Sequence, residues 1–431
     1  MRRNLNKIVS LAIGISVLNG SIMPVFAADS TQSTYTSNIQ TQVNQKSVLT
    51  LDDVIKAAIS NSGKLGLKQK ELQMYKDKAD LQDKKDDFYG DNNLNTGNDT
   101  VDNFAHDKLE LQQNQTEQSE DFLQDQIAND ITKKYNAIVL KQMDINKLKT
   151  SLEIKTNDLN TLKTKVNIGL ATSNQLEDKQ IEINKAKDDI KAKEDSLKNN
   201  LDYLGVLTDL NLSGYTLDTT TNYNVFKIDG SVDEYLDNRI DEYLKYNDKI
   251  IKLTDDYMHE ARDENMNELS YYVSKAEKLK PNEAEYADTV DATGNTVTHK
   301  TDYYIAYASY VQQYLSAFNN YQSYLEGRYS LAEAKVKLDD SKKSLKNVLK
   351  ENYSTLCDLE NQITTSKQDI NSTNTKLKYA KTQVDIGTMT ENDYKAQVLK
   401  SEDLDNSLRN LINTYNTLKN SIEKPWVLSS N

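Results

Sequence analysis

Apolar residues placed seven apart constrain this chain more than any other feature. Ile138, Ile145, Leu152, Leu159 and Val166 form one series, and Leu176, Ile183, Ile190, Leu197 and Leu204 form the next. Leu356, Ile363, Ile370, Leu377 and Val384 form a third, 218 residues after the first. A fourth is weaker: Tyr394, Ser401, Leu408, Tyr415 and Ile422. A seven-residue repeat keeps one seam of a helix facing a neighbour and winds the pair into a left-handed coiled coil. The fold class this predicts is all-α, built from long antiparallel helical hairpins. The segment 127–168 would run roughly 60 Å at about 1.5 Å per residue. Three prolines and thirteen glycines in 431 residues leave few interruptions. Charged residues make up 28% and mean hydropathy is -0.75. That balance suits solvated helices with narrow apolar seams better than a thick core.

The seams are interrupted twice by the same phrase. The chain reads KTKVNIGLATSNQLEDK at 163–179 and KTQVDIGTMTENDYKAQ at 381–397, again at offset 218. Gly169 and Gly387 fall where a helix would end, and glycine readily takes the left-handed conformation that closes helices. Three residues later Thr172 and Thr390 can cap a new helix. Thr172 with Gln175 forms a capping-box pattern, and Thr390 with Asp393 a weaker one. Each phrase is therefore expected to be the short turn of a helical hairpin. The openings match as well: LTLDDVIKAAI at 49–59 aligns with GSVDEYLDNRI at 230–240 at offset 181, with Thr50 and Ser231 as caps. The offsets differ by 37, so the second half carries the longer insertion.

These marks imply a duplication. The expected organisation is a signal peptide at 1–28, a polar segment at 29–48 and a first helical repeat at 49–206 with a polar insertion at about 83–120. A linker at 207–229 follows, then a second repeat at 230–424 with an insertion at about 262–302, and a C-terminal tail at 425–431. The signal peptide rests on Arg2, Arg3 and Lys7 before the run IVSLAIGISVL, and on small residues before a cleavage point near Ala27 or Ala28. Its removal would take the net charge from -13 to -16. No cysteine follows that run, so a lipoprotein anchor is excluded, and the single Cys357 excludes an intramolecular disulfide framework. The acidic balance argues against a nucleic-acid partner, since phosphate contacts need a basic face. Outside the leader no stretch approaches the ~18 apolar residues of a membrane-spanning helix. The chain is expected to be exported to the cell envelope: to the outer membrane where the organism has one, and otherwise to an extracytoplasmic or surface-associated position.

The sequence resembles the TolC-like outer-membrane efflux proteins. The opening LTLDDVIKAAISNS, the paired segments VNIGLATSNQLEDKQIEINKA and VDIGTMTENDYKAQVLKSE, and the helix ending LKNNLDYLGVL carry the likeness, which covers most of 49–424. The resemblance implies a homotrimer whose paired helices wall a hollow cylinder, crowned by a β-barrel in the outer membrane. It implies that Gly169, Leu170, Thr172, Gly387, Thr388 and Thr390 form tips where a periplasmic adaptor protein docks and an inner-membrane pump delivers substrate. The best-known members hold the entrance shut with an arginine and two aspartates on the second tip. The matching positions here are Met389, Asp393 and Ala396, and only Asp393 keeps its type as a possible entrance-gate residue.

The barrel is where this chain departs from the pattern. Each half should hold two strands of about ten residues with alternating polarity. The first candidate, KDDFYGDNNLNTGNDTVDNFAHDKLELQQNQ, is almost bare of apolar residues and reads as a polar loop. The second includes KPNEAEYADTVDATGNTVTHKTDYY, also polar. Tyr303, Tyr307, Tyr310, Tyr314, Tyr321 and Tyr324 then follow at helical steps. We read that stripe as packing between helices, with a sugar- or partner-binding surface as the alternative. Little or no barrel is expected.

Catalytic patterns are weak. HEARD at 259–263 places Asp263 where a zinc site needs a second histidine, and only His106 and His299 remain elsewhere. DNNLNTGND at 91–99 has its glycine one place late for a calcium loop and no closing glutamate. We therefore expect no enzyme, cofactor or metal site. Two functions fit: a passive export duct working with an adaptor and an energised pump, or a non-transporting structural or adhesive rod on the same scaffold.

Overall fold

The computed structural model describes residues 47–430 apart from 93 and 94. The expected signal peptide and nearly all of the polar segment after it lie outside the described residues. A short strand β1 (Ser47–Leu49) leads into helices α1 (Leu51–Ser60), α2 (Gly63–Asp91), α3 (Asp99–Asn167) and α4 (Ser173–Thr208). Strand β2 (Tyr215–Leu217) follows, then α5 (Val232–Asp263), α6 (Leu269–Glu277) and the strands β3 (Thr289–Val290) and β4 (Thr296–Val297). The chain closes with α7 (Lys300–Asp385), α8 (Glu391–Glu423) and a 3-10 turn, Pro425–Ser430. The expectation of an all-α chain of long hairpins holds. Among the described residues no strand exceeds three residues, against the ~9–11 of a membrane-crossing strand, and no helix is long and apolar enough to cross a membrane.

The chain divides into two compact units. The larger unit holds residues 47–67, 120–243 and 345–430. Its helices zip by heptad seams, and none of the twenty seam positions read from the sequence is exposed. Ile145, Leu204, Leu356, Ile363, Tyr415 and Ile422 are fully buried. Thr50 caps α1 with a reciprocal bond pair to Asp53, and the Ser231 hydroxyl accepts from the Glu234 amide at 3.4 Å. A buried cluster of Leu49, Val54, Tyr135, Ile138, Leu204 and Leu212 joins the ends of two seams to β1, α1 and the chain after α4.

The linker is more ordered than its polar sequence implied. β2 pairs in parallel with β1, Leu49 opposite Leu217. The Tyr135 hydroxyl lies 2.9 Å from the Leu49 carbonyl and 3.0 Å from that of Asp218, while the buried Arg409 donates to the Thr219 carbonyl. The tail is docked too: the Trp426 ring stacks on Phe122 at 4.2 Å, and its indole N–H donates to Asp125 at 2.9 Å.

The smaller unit holds residues 68–119 and 244–344. Here the expected polar insertion at 83–120 is corrected. Among the described residues, 83–91 are helix in α2 and 99–120 are helix in α3. Few apolar residues are needed because α5 covers a narrow stripe: Val101 and Phe104 are buried, and the Phe104 ring stacks on Tyr257 at 4.1 Å. The 262–302 insertion holds the short helix α6 and one small antiparallel pair, β3 and β4.

Candidate functional site

Both glycine bends close their helices in the same way. Gly169 has φ +77° and Gly387 φ +74°. The Leu170 amide donates to the Lys165 carbonyl at 2.7 Å, and the Gly169 amide to Val166 at 3.0 Å. The second bend repeats the pair, Thr388 to Gln383 at 2.9 Å and Gly387 to Val384 at 2.9 Å. These two bonds are the Schellman closure, which satisfies the last carbonyls of a helix and needs a left-handed residue between them.

The outgoing helices are capped as their sequences predict. The Gln175 amide donates to the Thr172 hydroxyl, and the Thr172 amide donates to the Gln175 side chain at 2.9 Å. At the second bend the Asp393 amide donates to the Thr390 hydroxyl at 3.0 Å, and that hydroxyl donates to the Asp393 carboxylate at 2.7 Å. Asp393 therefore serves its own helix start, which is what its side chain does in this structure. Of the expected site residues, Leu170 stands out: an apolar residue after a Schellman glycine usually folds back onto its helix, yet Leu170 is 75% exposed. The flanking Ile168 and Ile386 are exposed as well.

The two bends lie at the same end of the larger unit. Cross-contacts order its helices as α4, α3, α8, α7. Lys193 bonds Asp144 and Lys155 bonds Glu182 between α4 and α3. Asn352 bonds Ser421 and Tyr415 bonds Glu360 between α7 and α8. Between α3 and α8 the register is constant and antiparallel: Asp158 with Asn392 at 2.5 Å, Glu153 with Lys395 at 2.6 Å, Asn129 with Asn420 at 3.2 Å and Asp125 with Lys424 at 2.6 Å. Asn392 holds the junction, since its amide also reaches the Ile154 carbonyl at 3.3 Å. The repeated phrase contained it, but only tertiary pairing gives it this role. Extending the register puts Gly387 level with roughly residue 162 of α3, so at about 1.5 Å per residue the second bend stops about 10 Å short of Gly169.

Charge around the tips is paired. Hydrogen bonds from Lys179 and Lys155 hold the Glu182 carboxyl at about 2, against an ordinary 4.5. Lys381 lies 3.5 Å from Asp385 and 3.7 Å from Glu391. Among the described residues no group of His, Cys, Asp and Glu could hold a metal ion. His259 of the HEARD stretch sits on α5, 3.7 Å from Asp263.

With this geometry in hand, solved structures supply a likeness. The Campylobacter jejuni CmeC outer membrane channel superposes with a TM-score of 0.54 at 13% identity, covering 93% of each chain. The outer-membrane channel OprN gives 0.54 at 9% identity, covering 88% of this chain and 90% of its own. The fold is TolC-like. No protein-family model matches the sequence, and no curated protein matches it. Where the family resemblance implies barrel strands, this TolC-like protomer has the connection 92–98 and the segment 264–299 with β3 and β4.

Proposed function

We propose that this protein is an export-duct subunit of the cell envelope, working passively once docked to an adaptor protein and an energised pump. Copies assemble in a ring, three by the family resemblance, with helical hairpins as the wall. Gly169, Leu170, Thr172, Gly387, Thr388 and Thr390 form the docking tips, and Asp393 flanks the entrance. The observation that carries this reading is the shared end of the two bends. A duplicated hairpin pair with both apolar tips facing one way has one end to offer a partner. The mechanism needs no covalent chemistry: hairpins tilt about the α3–α8 register, and the lumen opens or shuts.

The test is a Leu170→Glu, Thr388→Lys variant. Both side chains are exposed, so the fold is kept, as circular dichroism would verify. Adaptor binding and export are expected to fall together. Unchanged export in cells with the variant as sole copy overturns the docking role. A purified particle imaged as a solid bundle without a lumen returns the protein to the rod reading.

A further inference from the structure

Aromatic rings run along helix α7 in the smaller unit at steps of four and three, and successive rings meet. Tyr303, Tyr307, Tyr310, Tyr314 and Phe318 form a ladder whose ring centroids lie 6.0, 5.8, 5.8 and 5.4 Å apart in turn. Tyr286 continues it from the 264–299 segment, 5.7 Å from Tyr303. Such steps bring side chains onto one side of a helix, here over about 22 Å at about 1.5 Å per residue. Packing inside the chain accounts for the rings just beyond: Tyr324 is buried, and Tyr321 meets Tyr272 of α6 at 5.9 Å. It does not account for the ladder, which stays open. Tyr307 and Phe318 are each 41% exposed, and Tyr304 beside them is 66% exposed.

The chemistry of the stretch narrows what it can hold. From Tyr303 to Leu325 there is no Asp, Glu, Lys or Arg, in a chain that is 28% charged. Its polar side chains are Tyr, Ser, Asn and Gln, all neutral. Seven of its aromatic residues are tyrosine and one is phenylalanine. A face made only for apolar cover has no use for hydroxyls, which lose their water on burial. A partner helix is selected by charges flanking the seam, and a lipid surface by basic residues beside the apolar ones. This face carries neither. A neutral sugar polymer matches it: pyranose rings lay weakly polar C–H faces on aromatic rings, and their hydroxyls bond to neutral hydroxyl and amide groups. The net charge of -13 also repels anionic polymers.

The geometry points to a glycan-binding ridge: the ladder from Tyr303 to Phe318, with Tyr304 beside it, holds a neutral glycan strand of the cell wall along the axis of α7. The ridge follows a straight helix, so it suits an extended strand rather than a coiled one. It is open along its length, so it can grip a strand of a fixed network that has no free end to thread. Sugar in transit would instead require an enclosed groove. The tyrosine hydroxyls stand at the rims of the rings, where sugar hydroxyls can reach them. Such a hold needs no covalent chemistry and would keep an exported chain at the wall. It is carried by the smaller unit and uses neither glycine bend.

Two probes test it on the purified mature full-length chain: N-acetylchitohexaose in solution, and washed peptidoglycan sacculi by co-sedimentation. The wild type is expected to bind both, and to stay on the sacculi in about 1 M salt, where charge attraction is screened. The double variant Tyr304→Ala, Tyr307→Ala is expected to bind both at least about tenfold more weakly, with helix content kept in circular dichroism. Tyr379→Ala, at a ring 71% exposed in the larger unit, is expected to change neither. A wild type that ignores chitohexaose overturns the ridge, as does a double variant that binds like the wild type or a Tyr379→Ala variant that loses as much. Retention on sacculi that salt abolishes overturns it too. Binding to chitohexaose without binding to sacculi overturns the wall as the source. A wild type that floats with phosphatidylcholine–phosphatidylglycerol vesicles and leaves both glycans free shows a lipid face instead. The Leu170→Glu, Thr388→Lys variant keeps the ridge, so failure of the duct and failure of the ridge are read separately.

Discussion

Replacing the tip glycines by alanine isolates backbone strain from packing. A Cβ on Gly169 or Gly387 meets no atom within 4 Å, so nothing has to move aside. The whole cost is then the left-handed conformation, about 1–2 kcal/mol for an L residue. The less flexible unfolded chain returns about 0.4–1 kcal/mol, leaving about 1 kcal/mol per bend. The bends share no side-chain partner, so the double variant should lose about 2 kcal/mol. That loss falls on the tips, because the seams below are zipped independently. Amide exchange read by mass spectrometry is the fitting assay. Peptides spanning 164–176 and 382–394 should exchange about five- to tenfold faster in the respective variants, at 1.4 kcal/mol per decade, with the α3–α8 seam unchanged. Asparagine tolerates the left-handed region and should recover most of the protection. Wild-type exchange in the alanine variants, or asparagine as poor as alanine, would refute the reasoning.

Three further outcomes follow from the same structure. Leu356→Ala, at a fully buried seam position, should cost about 2–5 kcal/mol in urea unfolding, whereas Leu67→Ala, exposed and outside the seams, should lie near zero. Tyr135→Phe removes the hydroxyl that holds the Leu49 and Asp218 carbonyls and should cost about 1–2 kcal/mol. Burial pushes the Tyr135 hydroxyl from 10.0 up to about 12. The unfolded tyrosine therefore ionises first, and this contribution is complete below pH 10 and lost as pH rises through about 12. Glu182→Gln removes a carboxylate held at about 2 against 4.5. Its contribution is present above pH 4.5 and lost as pH falls through about 2, and solvent screening limits it to about 1 kcal/mol or less. Melting curves of wild type and variant should therefore converge towards pH 2.

The long-range design was legible because its information is periodic. Seven-residue seams, Gly169 and Gly387, and the caps Thr50, Thr172, Ser231 and Thr390 are local signals whose meaning survives without tertiary context. The rest depends on partners distant in sequence. Residues 99–119 read as a loop because their burial is supplied by α5, with Phe104 against Tyr257 and Gln115 bonded to Asn247 at 3.1 Å. The pairing of β1 with β2 joins two three-residue segments of little individual propensity. Tyr135 and Arg409 fix that joint from other helices. Of the candidate site, the two glycine turns and their caps were readable and the partnership of Asn392 with Asp158 was not. It follows from how two hairpins dock, and no spacing rule within one hairpin encodes it.

The unequal reach of the two bends sets the symmetry that the proposed docking partner would meet. In a closed ring of such protomers the rim is notched, tall and short teeth alternating around it. Hence the proposed docking protein would not treat the two teeth of one subunit alike. It would either seat one copy per subunit across the step, or place two copies in unlike environments, Leu170 at one height and Thr388 at the other.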